Sequence, residues 1–250
     1  AGVRRTAQQA KSLSNLRQLA MGYTQYHVEH RGALPLGYPP ATIDGKPFSY
    51  QLPTGQTIGF PVASRYPWRL LPYVSDVWPM LYNHRDMPPV PEPGDSAATA
   101  EAKAYTLSLN PTYGLNAYFL GGHAGFYGFA ADGKPNANGP AVFRASAVRD
   151  HARQIVLTDA VGVGTPGASA DDGFFVVTPP RRRGVMWTAD GKRCAPAAAG
   201  VAMGVPQGRH DRGAAVAFLD GHVASMLPGE LTDMRLWSPR AQSADWDYAP

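Results

Sequence analysis

The chain has 250 residues, 44% of them hydrophobic, with 27 glycines, 24 prolines, a formal charge of +4 and a pI near 9.2. That length suits one large domain, and the glycine and proline content predicts few helices outside one region. The charge is not arranged as Lys/Arg runs interleaved with aromatics, which argues against nucleic acid; the single cysteine, Cys194, excludes an internal disulfide and a cysteine-only zinc site; and no stretch reaches the ~20 apolar residues that span a bilayer.

From the N-terminus, Val3, Ala7, Ala10, Leu13, Leu16, Ala20, Tyr23 and His27 recur every three or four residues. This is one face of an amphipathic helix, with Arg4, Arg5, Gln8, Lys11, Asn15, Arg17 and Gln18 opposite. Gly32 and Pro35 stop it. A helix of about 30 residues is a rod of roughly 45 Å, which must lie across a sheet or protrude. The pattern is already helical at Ala1 and carries no cap, as a helix cut partway along its length would be.

Residues 33–66 read as loop with one short hairpin. Over 66–82, Leu70, Leu71, Val74, Val77 and Leu81 share a helical face that Pro72 and Pro79 interrupt. Residues 86–102 are Pro-rich and then rich in small residues, a surface loop. Beyond them the period shifts to two. β-branched or aromatic runs at 105–122, 153–164, 173–179 and 213–226 predict strands, with 195–208 as a connection. The fold class is α+β: an N-terminal helix over 1–32, then a β-rich head over 33–250 built on an antiparallel sheet with long loops.

Chemistry concentrates in "RHDRGAAVAFLDGHVASM", residues 209–226. Asp220-Gly221 between two apolar runs predicts a hairpin over 213–226 with a type I′ turn. The small residues at 213–217 suit a strand closely overlain by the N-terminal helix. The other reading is a metal site. Asp159, His210, Asp220 and His222 supply imidazole and carboxylate ligands suited to zinc. Asp132, Asn136 and Asn138, or Asp171 and Asp172, supply oxygens suited to calcium. His210 has a simpler role open to it, bridging two loops through backbone carbonyls.

No nucleophile elbow, phosphate loop, zinc-protease helix or dinucleotide fingerprint is present, so no catalysis is expected. Cys194, beside Lys192 and Arg193, reads as an exposed loop cysteine. The run "YFLGGHAGFYGF" (118–129) is either a binding surface or core and turn residues at a sheet edge, and Arg181–Arg183 read as a solvated hairpin tip.

Three features carry a family resemblance. His210 is followed by nine residues and then Asp220-Gly221; "SLSNLRQLAMGYTQYHVEHRGALP" occupies 12–35; and "PWRLLPYV" (67–74), "LY" (81–82) and "YGLNAYF" (113–119) lie between them. Together these resemble the bacterial type II secretion pseudopilins and related type IV pilin-like proteins, in the group whose C-terminal domain carries a histidine, nine residues and Asp-Gly. The resemblance implies a pilin-like fold and a prepilin cleavage site with an apolar membrane helix ahead of Ala1. It implies a head on the periplasmic side of the inner membrane, or assembled in a pseudopilus or cell-surface filament. Partners would be other pseudopilin subunits and the inner-membrane secretion machinery, packed along Val3, Ala7, Ala10, Leu13, Leu16 and Ala20. His210, Asp220, Gly221 and His222 would be structural motif residues, and a structural divalent cation, calcium or zinc, is an option the family raises. The alternative is a minor pilin-like binding module that recognises glycan or a secreted protein through the aromatic-Gly loops.

Overall fold

The computed structural model describes residues 2–164, 172–191, 193–198, 202–209 and 213–249, with side chains from residue 6 onward. Helix α1 spans Gly2–Glu29. It ends where Arg31 and Gly32 both take positive φ, with Gly32 N–H donating to His27 O and Arg31 N–H to Val28 O, a paired closure of the last carbonyls. Two short hairpins follow, β1 (Thr42–Ile43) with β2 (Lys46–Pro47) and β3 (Tyr50–Gln51) with β4 (Thr57–Ile58). The interrupted stretch at 66–82 resolves into two short helices, α2 (Pro67–Leu70) and α3 (Val77–Leu81).

The region read as a loop running into a strand is partly a helix. Helix α4 covers Ala97–Leu109 and is capped by Ser96, whose side chain accepts from Thr99 N–H. Strand β5 is confined to Tyr113–Leu115 as a result. Strand β6 (Ile155–Val163) is the centre of the sheet. Residues 173–179 form no regular strand and lie against the sheet through the bridges Leu115–Val176 and Val177–Gly204, with Thr178 N–H donating to Gly204 O. A hairpin of β7 (Trp187–Asp190) and β8 (Arg193–Pro196) places Cys194 in a buried strand position, which corrects the exposed-loop expectation. Burial pushes its thiol up to about 12, so it is a poor nucleophile. Within the expected connection, Met203–Pro206 forms β9, paired with the second half of β6.

Strands β10 (Ala214–Phe218) and β11 (Val223–Met226) complete the order β11-β10-β6-β5, antiparallel throughout. The architecture is thus mixed helix and antiparallel sheet. Register aligns Tyr113 with Asp159, Leu115 with Leu157 and Ala217, and Ala217 with Val223, which puts these residues on one sheet face. Helix α1 packs on that face: Tyr113 Oη donates to Ser12 O (3.0 Å) and Gln9 Nε2 to Ser225 Oγ (3.1 Å). Ala215 and Ala217 let the helix approach, and Leu16, Leu19, Ala20 and Tyr23 fill the interface. Each of the two leucines removed from water stabilises the fold by ~1.5–3 kcal/mol.

The buried face of α1 is rotated from the expected one. Asn15, placed on the polar side from the sequence, is buried and donates to Met80 O (3.4 Å); Leu19 and Ser12 are core positions. The α2–α3 segment covers this side of the helix, so the buried arc is wider than the sheet alone requires. Gly22 sits at the crossing, where a Cβ would run into Val74 Cγ2.

Candidate functional site

The hairpin at 213–226 forms, with a turn of a different kind. Asp220 does not take positive φ; Gly221 alone does (φ 90°). Gly221 N–H donates to Phe218 O and Phe218 N–H to His222 O, so Leu219, Asp220 and Gly221 make a three-residue loop ending in a left-handed glycine. Asp220 Oδ1 accepts from His222 N–H (3.1 Å) and lies 2.7 Å from His222 Nδ1, while the imidazole stacks on Phe218 at 4.2 Å. Although desolvation opposes it, these bonds from His222 hold the Asp220 carboxyl below its ordinary range. Asp220 and His222 therefore serve each other within an exposed turn.

Asp159 is elsewhere. It lies wholly buried under α1, with Oδ2 accepting from Ala215 N–H at 2.8 Å and Oδ1 without a hydrogen-bond partner. Asp220 is five residues beyond Ala215, roughly 16 Å along an extended strand, too far to share an ion with it. His210, the remaining member of that set, lies outside the described residues, as does Asp171. Asp172 pairs with Arg85. Asp132 Oδ1 caps its own turn by accepting from Lys134 N–H, Asn136 Oδ1 does the same for Asn138 N–H, and Asn136 Nδ2 donates to Tyr127 O. Their oxygens are spent on the loop rather than turned to a common centre. Among the described residues no three His, Cys, Asp or Glu side chains gather as metal ligands.

Around Asp159 runs a partly buried polar seam between α1 and the sheet. Asn83 Nδ2 donates to Ser12 Oγ (3.1 Å) and Tyr113 Oη (3.3 Å), and His84 Nε2 lies 3.0 Å from Ser12 Oγ. Arg209 Nη2 donates to Ala160 O (2.7 Å). Burial pushes the Asp159 carboxyl up to about 7, with the Arg209 charge and the Ala215 N–H pulling the other way. The same burial raises the Tyr113 phenol far above its ordinary value, reinforced by Asp159. These groups couple the helix to the sheet.

The stripe expected to pack against neighbours divides in two. Leu16 and Ala20 are buried against the chain's own sheet and are not available to a partner, and Leu13 is partly buried. Ala7 and Ala10 face solvent, while the side chain of Val3 lies outside the described part. Farther along α1, Met21 (59% exposed) and Val28 (67%) are also presented outward.

The run 118–129 is core on one side and surface on the other. Tyr118, Phe119, Leu120 and Phe126 are buried; Gly125 and Tyr127 are exposed. Ala124 to Tyr127 and Phe129 form one wall of a groove of about 420 Å³ whose other wall is Arg182 and Arg183. The Arg182 guanidinium lies 4.7 Å over the Tyr118 ring and 5.3 Å over Phe126, so it is not simply a solvated tip residue. Sequence reading missed this pairing, since the partners are some 60 positions apart and share no local pattern. A second, wider groove of about 740 Å³ is lined by Arg149, Arg153, Arg235 and Arg240, with Asp233 bonded to both Arg153 and Arg235.

No protein-family model, curated protein or solved structure matches this chain. Among the described residues no helix is long and apolar enough to cross a membrane.

Proposed function

We propose that this chain is a structural subunit of a pseudopilus or pilus-like filament, pilin-like in fold and without a catalytic step. An apolar helical extension ahead of α1 would anchor it in the inner membrane before assembly. Its head would lie in the periplasm or along the filament surface, and its partners would be other pseudopilin subunits and the inner-membrane secretion machinery. The observation that supports this reading is the division of α1. From Ser12 to Tyr23 one face is built into the head, whereas Thr6, Ala7, Gln8, Ala10 and Lys11 are exposed, with Gln9 between them reaching Ser225 of β11. A helix anchored at one end and bare at the other offers neighbours a head-to-tail contact, which repeats without closing and so makes a filament rather than a ring.

The test is to introduce Ala7→Arg with Ala10→Arg and examine surface filaments sheared from cells that make the protein. The proposal predicts filaments from the wild type, none from the double variant, and an unchanged thermal unfolding curve, because neither alanine touches the core. Filaments that persist in the double variant, or a wild type that forms none, contradict it.

A further inference from the structure

We propose that the groove between residues 123–129 and 181–184 binds an acidic saccharide, with Arg182 taking the carboxylate and Tyr127 supporting the sugar ring. Its volume of about 420 Å³ is in the range of small-ligand clefts. Its lining sets two guanidinium groups and backbone polar atoms beside the Phe126, Tyr127 and Phe129 rings, a mixture that suits a polar ring with one apolar face and a negative charge.

Arg182 supplies the charge. Its guanidinium is stacked on Tyr118 and Phe126. Stacking occupies the face of the group and leaves its in-plane N–H donors unspent. Among the described residues its side chain makes no hydrogen bond and no ion pair. A planar fork held in place by aromatic rings is prearranged for the two oxygens of a carboxylate. The acid beside the 183–184 turn, Asp247, is committed to that turn: it accepts from the backbone N–H groups of Arg183 and Gly184. The His123 ring is stacked on Tyr118 at 4.6 Å, and its Nδ1 accepts from Gly125 N–H. Burial, with help from Arg182, keeps this imidazole neutral, so the positive charge of the groove comes from Arg182 and Arg183.

Backbone strain marks the same place. Tyr127 (φ 53°) and Arg183 (φ 57°) are two non-glycine residues in the left-handed region, one on each wall. Such conformations cost on the order of 1 kcal/mol each and persist where surrounding contacts impose them. Here Arg183 Nη1 donates to Tyr127 Oη at 2.6 Å, Asp247 pins the 183–184 turn, and the Tyr248 ring leans on Phe126 (5.7 Å) and Tyr127 (6.0 Å). Gly128 belongs to the arrangement too, since a Cβ there would collide with His123 N. Three separated segments thus hold a 41% exposed tyrosine and a stacked arginine at one opening. The wider groove lacks this: its arginines line an opening without aromatic walls, and two of them share Asp233.

The proposal does not depend on filament formation and is tested on the isolated chain by titration calorimetry. The probes are a galacturonate trisaccharide, maltotriose as its neutral counterpart, inorganic phosphate, and an Asp/Glu-rich peptide. Saturable binding of the galacturonate trisaccharide is expected, at least ~10-fold tighter than maltotriose or phosphate. Arg182→Gln and Tyr127→Ala should each weaken it by about 10-fold or more, and Arg182→Lys, which keeps the charge and loses the fork, by a few-fold. Arg149→Gln in the wider groove should leave it within about 2-fold. The proposal is overturned by an absence of saturation up to ~10 mM, weaker than any useful site. It is also overturned if Arg149→Gln weakens binding as much as Arg182→Gln, which would mean diffuse charge attraction, or if the acidic peptide binds more tightly than the saccharide. Arg182→Lys and Tyr127→Ala keep the test decisive if Arg182→Gln does not fold.

Discussion

Asp159→Asn removes one titrating proton and little else, since an amide replaces a carboxyl of the same shape. In the folded chain Asp159 is buried, with one oxygen bonded to Ala215 N–H and the other unpartnered, and its pKa is raised to about 7. In the unfolded chain an aspartate titrates near 3.9. Between those values the folded protein holds a proton that the unfolded protein has lost. The stability associated with this group is therefore complete below pH ~4 and is lost as pH rises to ~7. At about 1.4 kcal/mol per unit over some three units, the ceiling is ~4 kcal/mol. His123 acts in the opposite sense. Burial lowers it to about 3, so the unfolded chain binds its proton first as pH falls, and stability grows between pH ~3 and ~6.5. The two slopes oppose each other in the wild type, and the variant uncovers the second. The measurement is urea unfolding of both proteins at half-unit steps from pH 4 to 8. The free energy of the variant minus that of the wild type should rise by ~2–4 kcal/mol up to pH 7 and then level. A constant difference would refute the buried, protonated carboxyl; a falling one would mean an ionised carboxylate stabilised by Arg209 or by a cation.

Other expectations follow from the same contacts. Gly22→Ala gains up to ~1 kcal/mol of helix propensity but forces α1 off Val74; a net loss of ~1–3 kcal/mol is expected in thermal unfolding, and a rise in stability would contradict the close crossing. Tyr113→Phe removes the hydroxyl that donates to Ser12 O and accepts from Asn83, and should cost ~1–2 kcal/mol, measured by urea unfolding; an unchanged midpoint would mean the seam contributes nothing to helix docking. Asp220→Ala loses bonds at an exposed turn only, so a loss below ~1 kcal/mol is expected, and a larger one would point to an unseen partner for the motif carboxylate.

The parts of the fold legible in the sequence are those where one side of an element is buried against a continuous surface. The three-four spacing located α1, and the apolar runs around Ile155–Val163 and Asp220-Gly221 located β6 and the β10–β11 hairpin. The exact face of α1 was not legible, because α2 and α3 cover it as well as the sheet and draw Asn15 and Ser12 inside. Helix α4 was hidden by the alternation of "YTLSL", which imitates a strand, although Ser96 and the alanines after it are ordinary helix-start signals. The β7–β8 hairpin carried the same Asp-Gly signal as the motif, at Asp190-Gly191, within a run too polar to stand out. At the site level, residue types suggested a metal cluster at Asp159, Asp220 and His222, and the register separates them: one sits under the helix and two at the hairpin tip. The stacking of Arg182 on Tyr118 is a tertiary fact with no local trace.

The central claim is that the outward N-terminal part of α1 is where one copy meets the next. Single cysteines at Ala7 and Ala10, and at Arg149 on the head as a control, test it by oxidative cross-linking in cells that make the protein. Cys194, buried with its thiol raised to about 12, gives little background. The account predicts a ladder of cross-linked multimers from Ala7→Cys or Ala10→Cys and only monomer from Arg149→Cys. Monomer at both helix positions, or a ladder equally strong from the head control, would contradict it.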